Sequence, residues 1–515
     1  MITNVFGARC IGIRAIPVTV EVDMTAGIGI HLTGLADMAV RESLLRTISA
    51  LQFLGYRIPG KKIVINLAPA DIKKKGSGYD LAIATGIIAV SGQEYLPGLS
   101  GYLMMGELGL DGAVRKVPGA LPIVEMAAEM GFKGCILPEE SAMEAMEYSP
   151  LPVFGVKTLS EVMQIVSGRE CGHLLVRNLD VQHQDVRHKD DDADFADFAD
   201  IYGQEGAKRG LETAAAGGHN VIMIGPPGSG KSSLAKAIRS IMPEMGDEEA
   251  LQTSKIYSVA GKGGSAAGLM RKRPFRSPHH STSLPALLGG GTEFILPGEV
   301  SLAHNGILFI DEFLEMPRKT MEALRGPMED RKVTISRLKA RVEYPASFML
   351  VAATNPCPCG YYGEGNRCRC SPGKREAYLA RLSGPLADRM DIHLWIHPAD
   401  NRKILRREKG EPSREIAGRV YAAKEIQKKR FAGEDIFCNA EMDSRLLGKY
   451  CRLAPDTENF LVRLTEKAGY SARACTRILK LARTIADLEE ARDISVRHIS
   501  EAAGYRFLDK SLQMF

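Results

Sequence analysis

The sequence predicts a multidomain α/β protein built around a phosphate-binding core, with a separate α/β domain ahead of it and a helical lid behind. Three observations predict this. Residues 225–232 read GPPGSGKS and match G-x-x-x-x-G-K-[ST] at every fixed position, between an apolar run and a helix-forming one. Residues 306–310, GILFI, are a second continuous apolar run, ending in Asp311 and Glu312. From about residue 400 onward the pattern is nearly all helical, with Ile478, Leu481, Ala482, Ile485 and Leu488 on one stripe.

A chain of 515 residues is too long for one core, and two to four domains are expected. Hydrophobic content of 45% and charged content of 25% are ordinary for a globular protein. The first residues lack a basic segment followed by an apolar one, and the longest apolar run, 81–90, is too short to span a bilayer. No membrane partner is expected. A net charge of +5 is too small over this length to argue for nucleic acid by itself. The ten cysteines form no secreted disulfide framework, and four of them cluster. With a nucleotide site, this implies the reducing cytoplasm.

Residues 1–166 alternate strand-like and helical runs and read as an α/β domain of their own. Helical spacing covers 36–54, 61–69 is a strand, and Asp111-Gly112 is a tight-turn pair. Lys73, Lys74 and Lys75 read as a solvated loop, and Ser77 as a turn residue. An acidic linker, 167–199, ends KDDDADFADFAD and leads into the core at 200–398.

In that core, strand, glycine loop and helix bring backbone N–H groups and a helix N-terminus onto a phosphate chain. The cradle is Gly225, Pro226, Pro227, Gly228, Ser229, Gly230, Lys231, Ser232 and Ser233. Lys231 would reach the β- and γ-phosphates of ATP, and Ser232 would offer its hydroxyl to Mg²⁺. The carboxyl end of a buried strand is where α/β sheets bind ligands. Asp311 would hold Mg²⁺ through its water shell, and Glu312 would polarise the attacking water. A third strand, 348–353, ends in Thr354 and Asn355, and Asn355 is placed to sense the γ-phosphate.

Three inserts set this core apart. The first, MRKRPFRSPHH, interleaves Arg271, Lys272, Arg273 and Arg276 with Phe275, a composition suited to phosphate contact and base stacking, or to a solvated loop. His279 and His280 have no partners at metal spacing. In the second, alternation at 333–335 and 342–344 flanks a basic tip of Arg337, Lys339 and Arg341, which predicts a β-hairpin able to point into a ring's pore. The third carries Cys357, Cys359, Cys368 and Cys370 as C-x-C-x₈-C-x-C. Four thiolates in so short a span can close a tetrahedron around Zn²⁺, with strain or a redox role as the alternative. Loss of one thiolate is expected to loosen this insert without touching the phosphate site.

RPFRSPHH, PGEVSLAHNGILFIDE, NPCPCG and SARACTRILKLARTIADL together resemble the magnesium-chelatase-like AAA+ proteins of the YifB/ComM family. The resemblance covers nearly the whole chain. It implies a hexameric ring that moves on single-stranded or branched DNA, driving branch migration in homologous recombination and natural transformation. It also assigns residues. The turn at 200–204 resembles the one that lies against adenine in AAA+ rings, so Ile201 and Tyr202 become base-pocket candidates. LADRMD resembles the arginine-finger segment and makes Arg389 a contact to the neighbouring subunit's nucleotide, with an ion pair to Asp388 or Asp391 as the plainer alternative. Ser471-Ala472-Arg473 resembles the second sensor; Arg473 would touch the γ-phosphate of its own subunit, with Arg477 as the alternative. Residues 399–515 would be the lid. RGPMEDRK departs from the family pattern at a surface turn.

The front domain resembles the Lon-protease-like domain of the same family. Laid on that pattern, the serine and lysine positions fall on Gly78 and about Leu121, neither able to do nucleophilic or base chemistry. This implies a disarmed protease fold. A chelatase motor subunit and an ATP-dependent protein remodeller or protease are the competing readings.

Overall fold

The computed structural model describes residues 2–35, 37–71, 73–74, 76–176, 196–263, 268–291, 295–337, 340–398, 405 and 409–511. Its first sheet has seven strands, ordered Gly29–Thr33, Lys62–Ala68, Arg14–Thr25, Ile2–Ile11, Tyr102–Met104, Gly134–Pro138 and Val153–Val156. Ile2–Ile11 and Arg14–Thr25 pair antiparallel along their whole length, from Ile2 opposite Asp23 to Ile11 opposite Arg14. Alternation puts Val18, Val20 and Val22 on the buried face, as a period of two requires. The helix Asp80–Ser91 buries nearly every residue, which is why its sequence is apolar all round. Gly86 lets it close on the sheet, because a Cβ there would lie 2.6 Å from a Val22 methyl.

The tri-lysine stretch departs from the solvated loop expected of it. Lys73 is exposed, but Lys74 is fully buried, its ammonium donating to the Pro69 carbonyl. Burial lowers its pKa. Lys75 lies outside the described residues. Gly78 sits against the Met105 side chain and Leu121 is buried in the helix Ala120–Glu129, so neither position carries a reactive group.

The second sheet is parallel, ordered Phe275–Arg276, Ile307–Ile310, Met349–Thr354, Val221–Ile224 and Ile392–Trp395. Its three inner strands are buried at every residue, which explains their unbroken apolar runs. The helices Ser413–Arg430, Pro455–Ala468, Ala472–Leu488 and Val496–Gly504 follow. Their core includes Ile478, Leu481, Ala482, Ile485 and Leu488, and it is continuous with that of the sheet. Among the described residues no helix is long and apolar enough to cross a membrane.

The first domain docks on the helix Asp247–Val259. Ser258 Oγ donates to Glu144 Oε2 at 2.7 Å, the Gly119 N–H donates to the Ser258 carbonyl, and Lys255 pairs with Glu125. Gly12, in the turn of the long first hairpin, abuts a second hairpin of Lys332–Arg337 and Ala340–Pro345, where its Cβ would meet the Glu343 carbonyl oxygen at 2.9 Å.

Candidate nucleotide site

The residues expected to bind phosphate converge on one edge of the second sheet. The loop 225–230 leaves the carboxyl end of Val221–Ile224 and opens the helix Lys231–Ile241. Close approach explains its first glycine, since a Cβ on Gly225 would lie 2.4 Å from the Ile396 carbonyl oxygen. Gly230 has φ 88, a conformation other residues resist. Lys231 is buried and folds its ammonium over the loop, donating to the carbonyls of Gly225 at 2.7 Å and Pro226 at 2.8 Å. Burial lowers its pKa, against the pull of Asp311 and Glu312. Asn355 Oδ1 is 3.5 Å from the same ammonium.

Ser232 Oγ donates to Asp311 Oδ2 at 2.7 Å, so the hydroxyl and carboxylate assigned to Mg²⁺ already share one site. Glu312 follows Asp311 with φ 50, a left-handed backbone at the strand end. Ile201 is buried beside Phe198 and Leu211, Tyr202 is half-buried, and their turn reaches the loop's neighbour through Gln204, which donates to the His397 carbonyl.

The arginines lie elsewhere. Asp391 N donates to the Asn220 carbonyl at 2.9 Å, and Asn220 Nδ2 to the Arg389 carbonyl at 3.0 Å. Both contacts sit at the amino end of Val221–Ile224, a strand length of roughly 13 Å from the phosphate loop. Arg389 is held there by Glu329 and by the Pro385 carbonyl. Arg473 pairs with Asp388 at 3.2 Å, and Arg477 pairs with Asp391. Burial opposes ionisation of Asp391, but Arg477 and His219 hold its carboxyl far below the usual range. A polar cavity of about 460 Å³ lies at this edge, lined among others by Asn220, Arg389, Asp391, Arg477 and Lys480. The expectation that Arg473 reaches the phosphate of its own subunit is therefore not met; it stands at the opposite edge of the sheet.

The basic insert is also corrected. Arg273 makes a two-pronged pair with Glu249, both contacts at 2.9 Å, and Arg276 another with Glu299 at 2.7 and 2.9 Å. Arg271 is held by Glu147 of the first domain and by Asp247. These guanidinium groups are engaged by carboxylates within the fold, and Lys272 is exposed. The predicted hairpin is present in register, with Arg341 exposed and 3.3 Å from Glu343. Arg337 is described by its backbone alone, and Lys339 lies outside the described residues.

The four cysteines meet. All four Sγ atoms lie within 4.8 Å of one another, and Cys357, Cys359 and Cys368 are 3.3, 3.7 and 3.6 Å apart. Zn–S bonds of ~2.3 Å in a tetrahedron put sulfurs about 3.8 Å apart, so the cluster fits Zn²⁺. The backbone N–H of Tyr361 and the Cys357 thiol bring the Cys359 thiol down to about 6, while burial and the Cys359 thiol hold the Cys357 thiol above its ordinary value. This insert is not separate from the phosphate site as expected: Gly360 lies against Pro227.

Similarity to known proteins agrees with this layout. The family described as magnesium chelatase, subunit ChlI, matches residues 197–404, its C-terminal part matches 410–506, and subunit ChlI of Mg-chelatase matches 20–141. The chain is 43% identical over 505 residues to the uncharacterized protein YifB of Salmonella typhimurium, covering 98% of this chain and 96% of that protein. It is 42% identical to YifB of Escherichia coli over 514 residues, 98% and 96% of the two chains. It is 39% identical to the competence protein ComM of Haemophilus influenzae over 511 residues, 99% and 98% of the two chains. The chain belongs to the YifB/ComM family of magnesium-chelatase-like AAA+ proteins. Membership in the YifB/ComM family carries ATP, Mg²⁺ and ATPase activity with it.

Sequence reasoning missed two features. His280 contacts Glu312, because Phe275–Arg276 pairs beside Ile307–Ile310 and delivers the histidines to that strand end. Only the strand order could have exposed this. Glu329, the partner of Arg389, carries no signal in the sequence.

Proposed function

We propose that the protein is an ATP-driven ring motor acting on DNA, its active sites completed between subunits. The observation that carries this is the split of one catalytic set across two edges of one sheet. Lys231, Ser232, Asp311, Glu312 and Asn355 stand at the carboxyl edge; Arg389, Arg473 and Arg477 stand at the amino edge. A strand length of roughly 13 Å separates the two groups within the subunit. A head-to-tail ring would bring one subunit's arginines to the next subunit's phosphates, and such an interface closes on itself.

In this reading Ser232 and Asp311 would hold Mg²⁺, which would supply positive charge against the phosphates. Lys231 turns from its loop carbonyls to the phosphate oxygens. Glu312 accepts the proton of the attacking water, and Arg389 of the partner steadies the charge that develops. The hairpin of Lys332–Arg337 and Ala340–Pro345 grips DNA through its basic tip, Arg337, Lys339 and Arg341. Its contact with Gly12 gives the front domain, read as a non-proteolytic Lon-like fold, a part in holding that hairpin. Cys357, Cys359, Cys368 and Cys370 would hold one structural Zn²⁺. The competence relative supports DNA as the substrate.

The test is ATP turnover with single-stranded, duplex and branched DNA, together with displacement of a labelled strand. Turnover should rise with DNA. Lys231→Ala should lose nucleotide binding, whereas Glu312→Gln should bind ATP and barely hydrolyse it. Turnover indifferent to every DNA form would sink the motor reading.

A further inference from the structure

We propose that the four-cysteine insert positions the phosphate loop, so that affinity for ATP depends on the metal the cysteines hold. This rests on the nucleotide and zinc readings above and adds a coupling between them.

The insert touches the loop from two sides. Gly360, between the cysteine pairs, has φ 85, and a Cβ on it would lie 2.9 Å from Pro227 Cδ and 3.9 Å from Asn355 Cγ. Its N–H donates to the carbonyl of Cys357 at 2.9 Å, and Cys357 is fully buried, two residues beyond Asn355. The contact therefore reaches both the tip of the phosphate loop and the residue facing Lys231. On the other side, Tyr362 meets Trp395 edge-on with ring centres 6.5 Å apart, and a Cβ on Gly363 would lie 3.2 Å from that indole. Trp395 pairs with Ile224, the last residue before the loop. The insert is wedged between the loop and the strand beside its base.

Its own regular structure is slight. Between residues 356 and 371 the only regular element is the short turn Gly365–Arg367. Cation–π contacts from Arg367 to Tyr361 at 4.3 Å and Arg375 to Tyr362 at 4.2 Å brace it, as do the Arg367–Glu364 ion pair at 2.8 Å and local backbone bonds such as Glu364 N–H to the Tyr361 carbonyl at 3.1 Å. A segment with so little regular structure would keep its shape through a metal held by its four sulfurs, and metal binding is then ordering free energy. Without that metal, Cys357 to Gly360 would gain conformational freedom, and Pro227 and Asn355 would lose the wall they pack on.

Trp395 makes the test direct, because it is the chain's single tryptophan. Zinc in the full-length protein is counted by elemental analysis, removed with a chelator and restored with one equivalent. At each stage, binding of a fluorescent N-methylanthraniloyl ATP is followed by energy transfer from Trp395. Depletion should weaken ATP at least tenfold and shift Trp395 emission, and zinc should reverse both. Gly360→Ala keeps all four thiols, so it should retain its zinc yet bind ATP several-fold more weakly; it decides the matter if depletion unfolds the chain. Unchanged ATP affinity in fully depleted, folded protein overturns the coupling. Protein that takes up no zinc overturns the metal reading, and zinc-loaded protein that binds no ATP overturns the nucleotide reading.

Discussion

His280 Nδ1 stands 3.0 Å from Glu312 Oε2. His279 packs on the His280 ring with centres 4.1 Å apart, and the Glu312 N–H is spent on Asp311 Oδ1 at 2.9 Å. The residue read as the base that activates water is thus gripped by the insert that lies between the two phosphate motifs. Of the paired histidines, which lack metal partners in the sequence, His280 finds a carboxylate and His279 meets the Ser281 hydroxyl at 2.7 Å.

A carboxylate engaged by a neighbouring imidazole is not free to swing onto the attacking water. His280 should therefore restrain hydrolysis until the insert moves. His280→Ala is expected to raise DNA-free ATP turnover several-fold and to narrow the stimulation by DNA. His280→Asn, whose amide nitrogen can stand near the Nδ1 position, should remain close to the parent protein. Steady-state turnover with and without DNA reads both; a fall in DNA-free turnover for His280→Ala would mean that the histidine supports Glu312 instead of restraining it.

Much of this site is legible in the sequence because it is local. The phosphate loop, the Asp311-Glu312 pair and Asn355 each end a wholly buried strand, and an unbroken apolar run announces such a strand. The hairpin and the cysteine cluster are likewise short-range patterns. What is not legible depends on partners far along the chain. Arg273 and Arg276 have a composition that suits nucleic acid, yet Glu249 and Glu299, 24 and 23 residues away, consume them. Lys74 sits in a run of three lysines and is buried, because its ammonium finds the Pro69 carbonyl. Arg473 carries a motif but not the edge of the sheet on which it stands.

The two classes of basic residue should separate by experiment. Arg273 is nearly buried, and removing it leaves Glu249 without its partner, a change that typically costs about 3–5 kcal/mol. Arg273→Ala should therefore lower the melting temperature sharply. Neutralising Arg337, Lys339 and Arg341 together should leave melting nearly unchanged, while DNA affinity and its salt slope both fall. Thermal melting and DNA titrations at several salt concentrations check the pair; equal destabilisation by both sets would remove the distinction.

His304 predicts how stability responds to acid. It is buried, its Nδ1 accepts the Ser347 N–H at 3.0 Å, and burial brings its pKa down to about 4 despite Glu249 and Glu441. The unfolded chain takes up that proton near pH 6.5. A depressed folded value means the contribution is complete above pH 6.5 and is lost as pH falls toward 4, at about 3 kcal/mol over the window. Denaturant unfolding between pH 7 and 4 should show this loss, and His304→Gln should flatten it. The same slope in the variant would assign the loss to other groups.

The split of the catalytic set between two sheet edges yields the sharpest test of assembly. Arg389 is anchored at the amino end of the strand whose carboxyl end feeds the phosphate loop, so its own subunit's γ-phosphate is out of reach. If it completes the neighbour's site, Arg389→Ala should cost about 10³–10⁵ in turnover, the range for such arginines, or roughly 4–7 kcal/mol of barrier. Nucleotide binding should survive, because the binding loop is intact. Lys231→Ala has the opposite defect, with an intact arginine and no working loop. Mixed in one ring, an Arg389→Ala subunit keeps a competent loop, and a Lys231→Ala neighbour supplies the arginine that loop needs. Two inactive proteins should then recover part of the parent turnover, in proportion to the mixed interfaces formed. A mixture that assembles but stays inactive would place Arg389 in service to its own subunit, contrary to its position in the sheet.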